Sequence, residues 1–204
     1  MIAICDYDAG NVMSVQKACT YLGHESVLTR ERDEILSADH VILPGVGSFG
    51  VAMDKLRSYG LSEALKETAK RGIPFLGICL GLQLMFEGSE ESPGIEGLGL
   101  LKGCIERIPD QNQTLKIPHM GWNSLSFPSD GRLFQGIPEG TDVYFVHSYY
   151  LPLNPYVKAV TRYGVEIGAS IEKDNLFACQ FHPEKSGRWG LKILENFLNL
   201  TGGK

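Results

Sequence analysis

The stretch Ile73–Phe86 carries the clearest chemical signal in the sequence. An apolar run, Ile73–Ile78, passes into Gly77–Gly81 and then into an amphipathic segment. A strand that gives way to a helix over one residue is the pattern of a nucleophile elbow, with Cys79 where hydrolases carry serine. Glycines two residues before and after the cysteine relieve crowding at such a corner, and helix N–H groups there favour a thiolate. We therefore predict that Cys79 is a nucleophile at the tip of a sheet; the alternative is a small buried core residue.

A thiol nucleophile needs a base, and the base needs a group that holds its ring. His182 follows the strand candidate Leu176–Gln180 and precedes Pro183 and Glu184. Residues i and i+2 of an extended segment project to the same side, so Glu184 can orient the His182 ring. We predict a triad of Cys79, His182 and Glu184; the alternative is a surface His–Glu pair without a catalytic role.

An attacked carbonyl also needs hydrogen-bond donors for the negative charge that develops on its oxygen. The backbone N–H of Leu80 is one donor, because it follows the nucleophile directly. The glycine-rich turn Pro44–Gly47 follows another strand candidate, and its glycines allow an N–H to turn inward. This turn is the candidate second donor, with a plain loop as the alternative.

Composition limits the classes of protein to which the chain can belong. Its 204 residues are enough for one domain with a sizeable core, and 43% hydrophobic and 21% charged residues are ordinary for a globular protein. A formal net charge of −5 argues against nucleic acids and anionic membranes as partners. The sequence has no bilayer-spanning run and no signal-peptide pattern, so we expect a cytoplasmic protein.

The five cysteines show no paired spacing, which predicts neither a disulfide framework nor a zinc site. No other metal or cofactor is expected. Four cysteines lie in strand-like or helical apolar patterns, and we interpret them as packing residues: Cys5, Cys19, Cys104 and Cys179.

Strand and helix candidates alternate through the first half of the chain, which predicts a parallel sheet covered by helices on both faces. From about Gly103 onward, short strand candidates and turns predict an antiparallel extension of that sheet. The strand candidates are Ile2–Asp6, Ser26–Leu28, His40–Leu43, Ile73–Ile78, Gly103–Ile108, Val143–Tyr149, Val157–Thr161, Val165–Ile171 and Leu176–Gln180. The helix candidates are Asn11–Leu22, Glu31–Ala38, Val51–Tyr59, Leu61–Arg71 and Ser186–Leu200. The predicted fold is one α/β domain over residues 1–204, with a mixed, mostly parallel sheet.

Three motifs in order, LPGVGSFG, GICLGLQ and QFHPEKS, resemble those of the triad glutamine amidotransferase family. DYDAGN, IPHMGWN and YFVHSYY narrow the resemblance to the glutaminase subunits of imidazole glycerol phosphate synthases, over essentially the whole chain. Asp8 departs from this pattern, in which glycine is more usual.

The resemblance implies that Cys79 attacks the side-chain amide of L-glutamine, that His182 transfers protons and that Glu184 orients His182. It also implies an oxyanion hole made by the Gly45–Val46 peptide and Leu80. Four further positions match residues that hold the amino and carboxylate groups of glutamine: Gly47, Gln83, Ser148 and Tyr149. The alternatives are a solvated polar residue for Gln83 and an ordinary strand end for Ser148 and Tyr149.

The resemblance further implies a partner, because ammonia released into neutral water is protonated and loses its nucleophilicity. Such glutaminases dock onto a synthase that receives the ammonia, here a phosphate-binding barrel, the cyclase subunit, in a heterodimer. The expected interface and ammonia exit comprise Asn11, Pro118, His119, Met120, Trp122, Asn123 and Tyr144, with rigid, aromatic and soft apolar character. The alternative for Ile117–Asn123 is a core loop with a buried tryptophan.

Three other functions stay open at this point. The chain could serve an anthranilate or aminodeoxychorismate synthase with the same triad. It could be a cysteine peptidase or γ-glutamyl hydrolase, for which free γ-glutamyl peptides would be substrates. A scaffold without catalysis is disfavoured by the intact triad.

Overall fold

The computed structural model describes residues 1–8, 10–110 and 115–201. Strands and helices alternate up to the predicted nucleophile. The elements are β1 (Ile2–Cys5), α1 (Val12–Tyr21), β2 (Ser26–Thr29), α2 (Arg32–Ser37), β3 (His40–Gly45), α3 (Phe49–Ser58), α4 (Leu61–Lys70), β4 (Phe75–Cys79) and α5 (Leu80–Leu84).

The remainder of the chain is mostly strands and closes with one helix. Its elements are β5 (Gly88–Ser89), β6 (Cys104–Arg107), β7 (His119–Ser124), β8 (Asp142–His147), β9 (Tyr149–Tyr150), β10 (Val157–Tyr163), β11 (Val165–Lys173), β12 (Leu176–Cys179) and α6 (Gly187–Leu198). Two 3₁₀ turns lie at Arg132–Phe134 and Pro183–Lys185. No helix in the described ranges combines the length and the hydropathy needed to cross a membrane.

Seven strands form the main sheet in the order β10-β11-β12-β4-β3-β1-β2. The five strands from β12 to β2 are parallel, and β11 and β10 add the antiparallel extension. The predicted fold class is therefore confirmed. The extension is smaller than predicted, because β5, β6 and β9 form a separate small sheet and β7 pairs only with β8 in a two-stranded ribbon.

Both faces of the four inner parallel strands, β12, β4, β3 and β1, are buried, and alternate residues contribute to two core clusters. Ile4 packs with Val15 of α1 and Phe197 of α6 on one face. Its neighbour Cys5 packs on the other face with Leu56 of α3. The continuous apolar character of these short strands follows from this double coverage.

Strand β3 differs from its predicted end at Leu43. It continues through Pro44 and Gly45, which lie opposite Ile78 and Cys79 of β4. Proline removes one donor but is compatible with an extended backbone, and the Pro44 carbonyl accepts a hydrogen bond from the Tyr7 hydroxyl at 2.9 Å. The glycine-rich turn is thereby held beside Cys79.

The cysteines other than Cys79 divide into two groups. Cys5, Cys19 and Cys179 are buried, as predicted, whereas Cys104 is exposed and its interpretation as a packing residue is wrong. Cys104 belongs to β6, where only Ile105 is buried. This strand lies in the small separate sheet, so its other side chains, including that of Cys104, are exposed.

The corner after β4 gives a stability prediction. A Cβ atom at Gly81 would lie 1.9 Å from the Leu43 carbonyl oxygen, which is backbone and cannot move aside cheaply. We expect Gly81→Ala to lower the free energy of unfolding by at least the upper end of the about 1–3 kcal/mol usual for overpacking.

Urea unfolding measures this change. Gly88→Ala is the matched control, since the atom nearest to its added Cβ would be 3.7 Å away. Equal unfolding midpoints for the two variants would contradict the packing argument.

Candidate active site

Cys79 lies at the corner between β4 and α5 with a left-handed backbone, φ 55° and ψ −109°. A Cβ at Gly77 would be 2.7 Å from the Gly81 backbone, so neither glycine can be replaced without a clash. The crowding predicted for this corner is therefore present. The helix that follows differs from the prediction, because all five residues of α5 are buried and it has no solvent-facing side.

Parallel pairing brings His182 beside this corner. Cys179, the last residue of β12, lies opposite Ile78 of β4, so the two strands end side by side. The His182 backbone N–H donates to the Tyr144 carbonyl at 2.9 Å, and the Ser186 hydroxyl donates to the His182 carbonyl at 2.6 Å. These bonds fix the position of a histidine that is only 2% exposed.

Glu184 holds the His182 ring, with its Oε1 2.8 Å from Nδ1. The segment is not extended as predicted, because Glu184 lies within a 3₁₀ turn; the contact forms nevertheless. Burial lowers the pKa of His182, but interactions with Cys79 and Glu184 outweigh burial and raise that pKa to about 9. The Nε2 atom has no hydrogen-bond partner among the residues described, which leaves it available for proton transfer.

A cavity of about 370 Å³ opens above the thiol. The cavity lies beyond the carboxyl ends of β3, β4 and β12, where open α/β sheets bind ligands. Its lining comprises Val46, Gly47, Cys79, Leu80, Gln83, Glu91, Pro118, Val146, His147, Ser148, Tyr149 and His182. The two catalytic candidates thus share one cavity with all four predicted glutamine-binding positions.

Gln83 is 4% exposed, so its interpretation as a solvated polar residue is wrong. Its amide nitrogen donates to the Tyr149 carbonyl at 3.1 Å and to Gln180 Oε1 at 3.0 Å. Both N–H groups are thereby used, and the carbonyl oxygen of Gln83 is the part of the amide that remains for another group.

The two candidate oxyanion regions lie on either side of the thiol. Leu80 is the first residue of α5, where backbone N–H groups lack intrahelical partners. In the turn, Gly45 is buried in β3 and an added Cβ would lie 2.4 Å from the Tyr7 hydroxyl. Gly47 has φ +100° and open space around it. The two glycines are therefore required for different reasons: close packing at 45 and backbone conformation at 47.

Two polar residues near the cavity have no local signal in the sequence. Glu91 lines it and accepts a hydrogen bond from the Phe49 backbone N–H, at the start of α3, at 2.7 Å. Gln180 is fully buried, and its Nε2 lies 3.8 Å from Cys79 Sγ. An alignment of relatives would be the natural means of finding such positions.

The β7–β8 ribbon presents two distinct faces. Trp122 pairs with Tyr144, and their rings form an edge-to-face contact with centroids 6.1 Å apart. Met120 and Trp122 are 62% and 58% exposed, so a buried tryptophan in a core loop is excluded. His119 points the other way and is 3% exposed, which removes it from the surface available for direct contact with a partner. A period of two along β7 accounts for the difference.

Asn11 is half-buried at the start of α1, and its side chain accepts a hydrogen bond from Ser14. Asp8, before it, has φ 58°, a conformation that glycine adopts most readily. Hydrogen bonds from Tyr59 and Arg30 hold the Asp8 carboxylate and keep its pKa below the ordinary value. The departure from glycine is therefore accommodated by polar contacts.

No metal site accompanies this constellation: within the described part of the chain, no three His, Cys, Asp or Glu side chains converge as metal ligands would.

Comparison with known proteins agrees with this geometry. The family model for class-I glutamine amidotransferases matches residues 3–200. A Moorella thermoacetica protein named imidazole glycerol phosphate synthase subunit HisH is 53% identical over 202 residues, which cover 98% of this chain and 95% of that protein. A protein of the same name from Methanocaldococcus jannaschii is 49% identical over 201 residues, covering 98% of this chain and all of that one.

Solved structures agree on the fold. A crystal structure described as a glutamine amidotransferase has a TM-score of 0.75 at 19% identity and covers 97% of this chain and 96% of that one. The structure of PurLQS from Thermotoga maritima has a TM-score of 0.71 at 21% identity, with 97% of each chain covered. From the match of the family model to nearly its whole length, the chain belongs to the class-I glutamine amidotransferase family.

Proposed function

We propose that this chain is the glutaminase subunit of an imidazole glycerol phosphate synthase, acting in histidine biosynthesis. It hydrolyses L-glutamine to glutamate and ammonia through one amidotransferase domain that spans residues 1–204. The observation that carries the proposal is the juxtaposition of Cys79 and His182 in one cavity at the ends of parallel strands, with Glu184 bound to the His182 ring behind it. Relatives with the synthase-subunit name, about half identical along the whole chain, support the choice of pathway.

The reaction proceeds in two halves. The Cys79 thiolate attacks the side-chain carbonyl carbon of glutamine, and the tetrahedral adduct collapses when the C–N bond breaks. His182 gives its proton to the leaving nitrogen, which departs as ammonia, and a glutamyl thioester remains. His182 then takes a proton from water, the resulting hydroxide attacks the thioester, and glutamate leaves as the thiolate re-forms.

Backbone donors stabilise the tetrahedral adduct in both halves. The N–H of Leu80 is one, and the peptide between Gly45 and Val46 supplies the second when its N–H faces the cavity. Val46 is 42% exposed at the cavity rim, and Gly47 beside it has the backbone freedom to let this turn reorient.

Polar groups around the cavity fit the two ends of the amino acid. The Glu91 carboxylate and the Gln83 carbonyl oxygen are acceptors for the substrate ammonium group. Gly47, Ser148 and Tyr149 line the same cavity and are proposed to hold the substrate carboxylate. Charge matching of this kind selects a free amino acid over a peptide, which argues against the peptidase alternative.

The outer face of the β7–β8 ribbon is the proposed docking surface for the cyclase subunit, a barrel protein, in a heterodimer. Met120 and Trp122 are exposed there, and Pro118 and Val146 continue the same face into the cavity wall. Aromatic and methionine side chains are typical of interface centres. Tyr144 of the ribbon and Asn11 at the start of α1 complete the proposed interface and ammonia exit. Asn123 lies on the same side of β7 as His119 and donates to the His119 ring and to the Arg162 carbonyl, so it is not part of the outer face.

Chemical rescue tests the assignment of the nucleophile. Cys79→Ala or Cys79→Ser removes the thioester, so the assembled synthase should lose glutamine-dependent synthesis by more than about 10³-fold, as expected for loss of a catalytic nucleophile. Synthesis from added ammonium salts should persist, because that route bypasses the glutaminase. Release of glutamate at the normal rate by the alanine variant would refute the assignment.

A pH profile tests the role of Glu184. Because the protonated His182 ring delivers the proton to ammonia, the glutaminase rate should fall as pH rises through about 9, the pKa of His182. Glu184→Gln removes one contribution that raises this pKa, so the alkaline limb should move to lower pH by about one to three units.

The double variant His182→Ala/Glu184→Gln should be little slower than His182→Ala alone, since the two residues act as a unit. An alkaline limb unchanged in Glu184→Gln, or additive losses in the double variant, would contradict the orienting role.

The oxyanion turn gives a prediction about control by the partner. Hydrolysis without an acceptor wastes glutamine, so we expect the lone subunit to be nearly inactive, with cyclase and its ligand shifting the turn to the competent form. A missing oxyanion donor costs roughly 10²–10³-fold in rate. Gly47→Ala disfavours φ +100° without a steric clash and should change the stimulation factor more than the affinity for cyclase.

Glutaminase rate against cyclase concentration, with and without cyclase ligand, separates stimulation from affinity. Gly136→Ala is the matched control, because Gly136 has φ +74° and open space around it and does not line the cavity. Gly45→Ala is less informative than the sequence suggests, because its Cβ would clash with Tyr7. Full activity of the lone subunit, unchanged by partner and ligand, would contradict this mechanism of control.

A further inference from the structure

The Tyr149 carbonyl accepts two hydrogen bonds. It thereby determines which group donates and which accepts along a longer chain of hydrogen bonds. His147 Nδ1 lies 2.9 Å from this oxygen and Gln83 Nε2 lies 3.1 Å from it. A carbonyl oxygen only accepts, so His147 carries its proton on Nδ1 and Gln83 presents its NH₂ group.

On the ribbon side, the remaining tautomers follow from this one. The lone pair of His147 Nε2 faces His119 Nδ1 at 2.9 Å, so His119 donates. His119 Nε2 then accepts from Asn123 Nδ2 at 3.2 Å, whose other N–H donates to the Arg162 carbonyl at 3.1 Å. Protonation of either ring would place two N–H groups against each other. Burial favours the neutral rings as well, and lowers the pKa of His119 to about 4 and that of His147 to about 3.

On the cavity side, the chain of hydrogen bonds reaches Cys79. The second N–H of Gln83 donates to Gln180 Oε1 at 3.0 Å, which turns the NH₂ group of Gln180 away from Gln83. Gln180 Nε2 lies 3.8 Å from Cys79 Sγ, within reach of a hydrogen bond to sulfur, and Gln180 is fully buried. Each donor and acceptor from Asn123 to Cys79 thus has one consistent orientation.

We propose that Gln180 is a further catalytic residue, which donates a hydrogen bond to the Cys79 thiolate, and that His147 is a positioning residue, which fixes the orientation of the Gln180 amide through Tyr149 and Gln83. A donor aimed at sulfur stabilises the anion more than the neutral thiol. The proposal rests on the proposed role of Cys79 as nucleophile.

Alkylation of the purified chain by iodoacetamide tests the proposal without glutamine or a partner. The modified fractions of Cys79 and of Cys104 are measured by mass spectrometry from pH 5.5 to 9.5, and the exposed Cys104 is the internal reference. Among the described residues, the titratable groups near the Cys79 thiol are His182, with Glu184 behind it, and Tyr7. Glu91 and His147 line the same cavity. All of them are retained in the Gln180 variants, and only His147 is changed in the variants that test its own role.

Gln180→Met keeps the approximate volume but removes the donor. We expect alkylation of Cys79 at pH 7 to slow by about three- to tenfold, as for a weak hydrogen bond to a charged acceptor, and its pH midpoint to rise. Gln180→Glu places an acceptor against sulfur and should shift the midpoint at least as far. Ser170→Ala is the control, since it removes a different buried hydrogen bond, to the Ala178 carbonyl of the neighbouring strand, and should leave the profile unchanged.

A pair of variants at His147 tests whether this residue orients the Gln180 amide through the chain of hydrogen bonds. His147→Asn retains an N–H at the position of Nδ1 and should preserve the Cys79 profile, whereas His147→Leu should reproduce part of the loss seen in Gln180→Met. Equal profiles for these two variants would refute the positioning role of His147.

A wild-type alkylation profile in Gln180→Met, with the fold verified by circular dichroism, would overturn the proposal, even if glutaminase activity fell. If that variant does not fold, Gln180→Glu decides by the same criterion. If the alkylation profile shifts as predicted but the protein does not hydrolyse glutamine with any partner, the role of Gln180 is supported and the proposed function is refuted.

Discussion

The left-handed backbone of Cys79 is the constraint on which the rest of the site depends. A non-glycine residue in this conformation costs about 1–3 kcal/mol, and the surrounding structure must hold it in place. Pairing of β4 with β3 and β12 on both sides provides that support. The close approach of Gly81 to the Leu43 carbonyl then restricts the direction in which the backbone turns from β4 into α5. The thiol is placed at the cavity floor as a consequence.

The remaining groups reach the thiol through the order of strands in the sheet. Because β12 is parallel to β4, His182 arrives beside Cys79 although 103 positions separate them in sequence. The β7–β8 ribbon forms another wall of the cavity. Its Tyr144 carbonyl accepts a hydrogen bond from the His182 backbone N–H, and the buried rings of His147 and His119 lie on the ribbon's inner face. One ribbon therefore supports His182, lines the cavity and presents an exposed aromatic face to solvent.

Local signals made much of this predictable from the sequence. The glycines around Cys79, the spacing of His182 and Glu184, and the alternation of strands and helices each reflect constraints within a few residues. The inward direction of His119 depends on the pairing of β7 with β8, and the exposure of Cys104 depends on which sheet β6 joins. Gln180 and Glu91 acquire their roles from contacts with distant segments, such as Gln83 and Phe49, that no local pattern reports.

Covalent capture of the nucleophile tests the central claim most directly. A glutamine-like electrophile, such as a diazo-ketone analogue of L-glutamine, is incubated with the chain and the proposed cyclase partner, and the adduct is located by mass spectrometry. The account predicts one adduct on Cys79, formed more slowly when L-glutamine is present and absent from the variant His182→Ala at neutral pH. Modification of Cys104 alone, or labelling of Cys79 that glutamine does not slow, would contradict it.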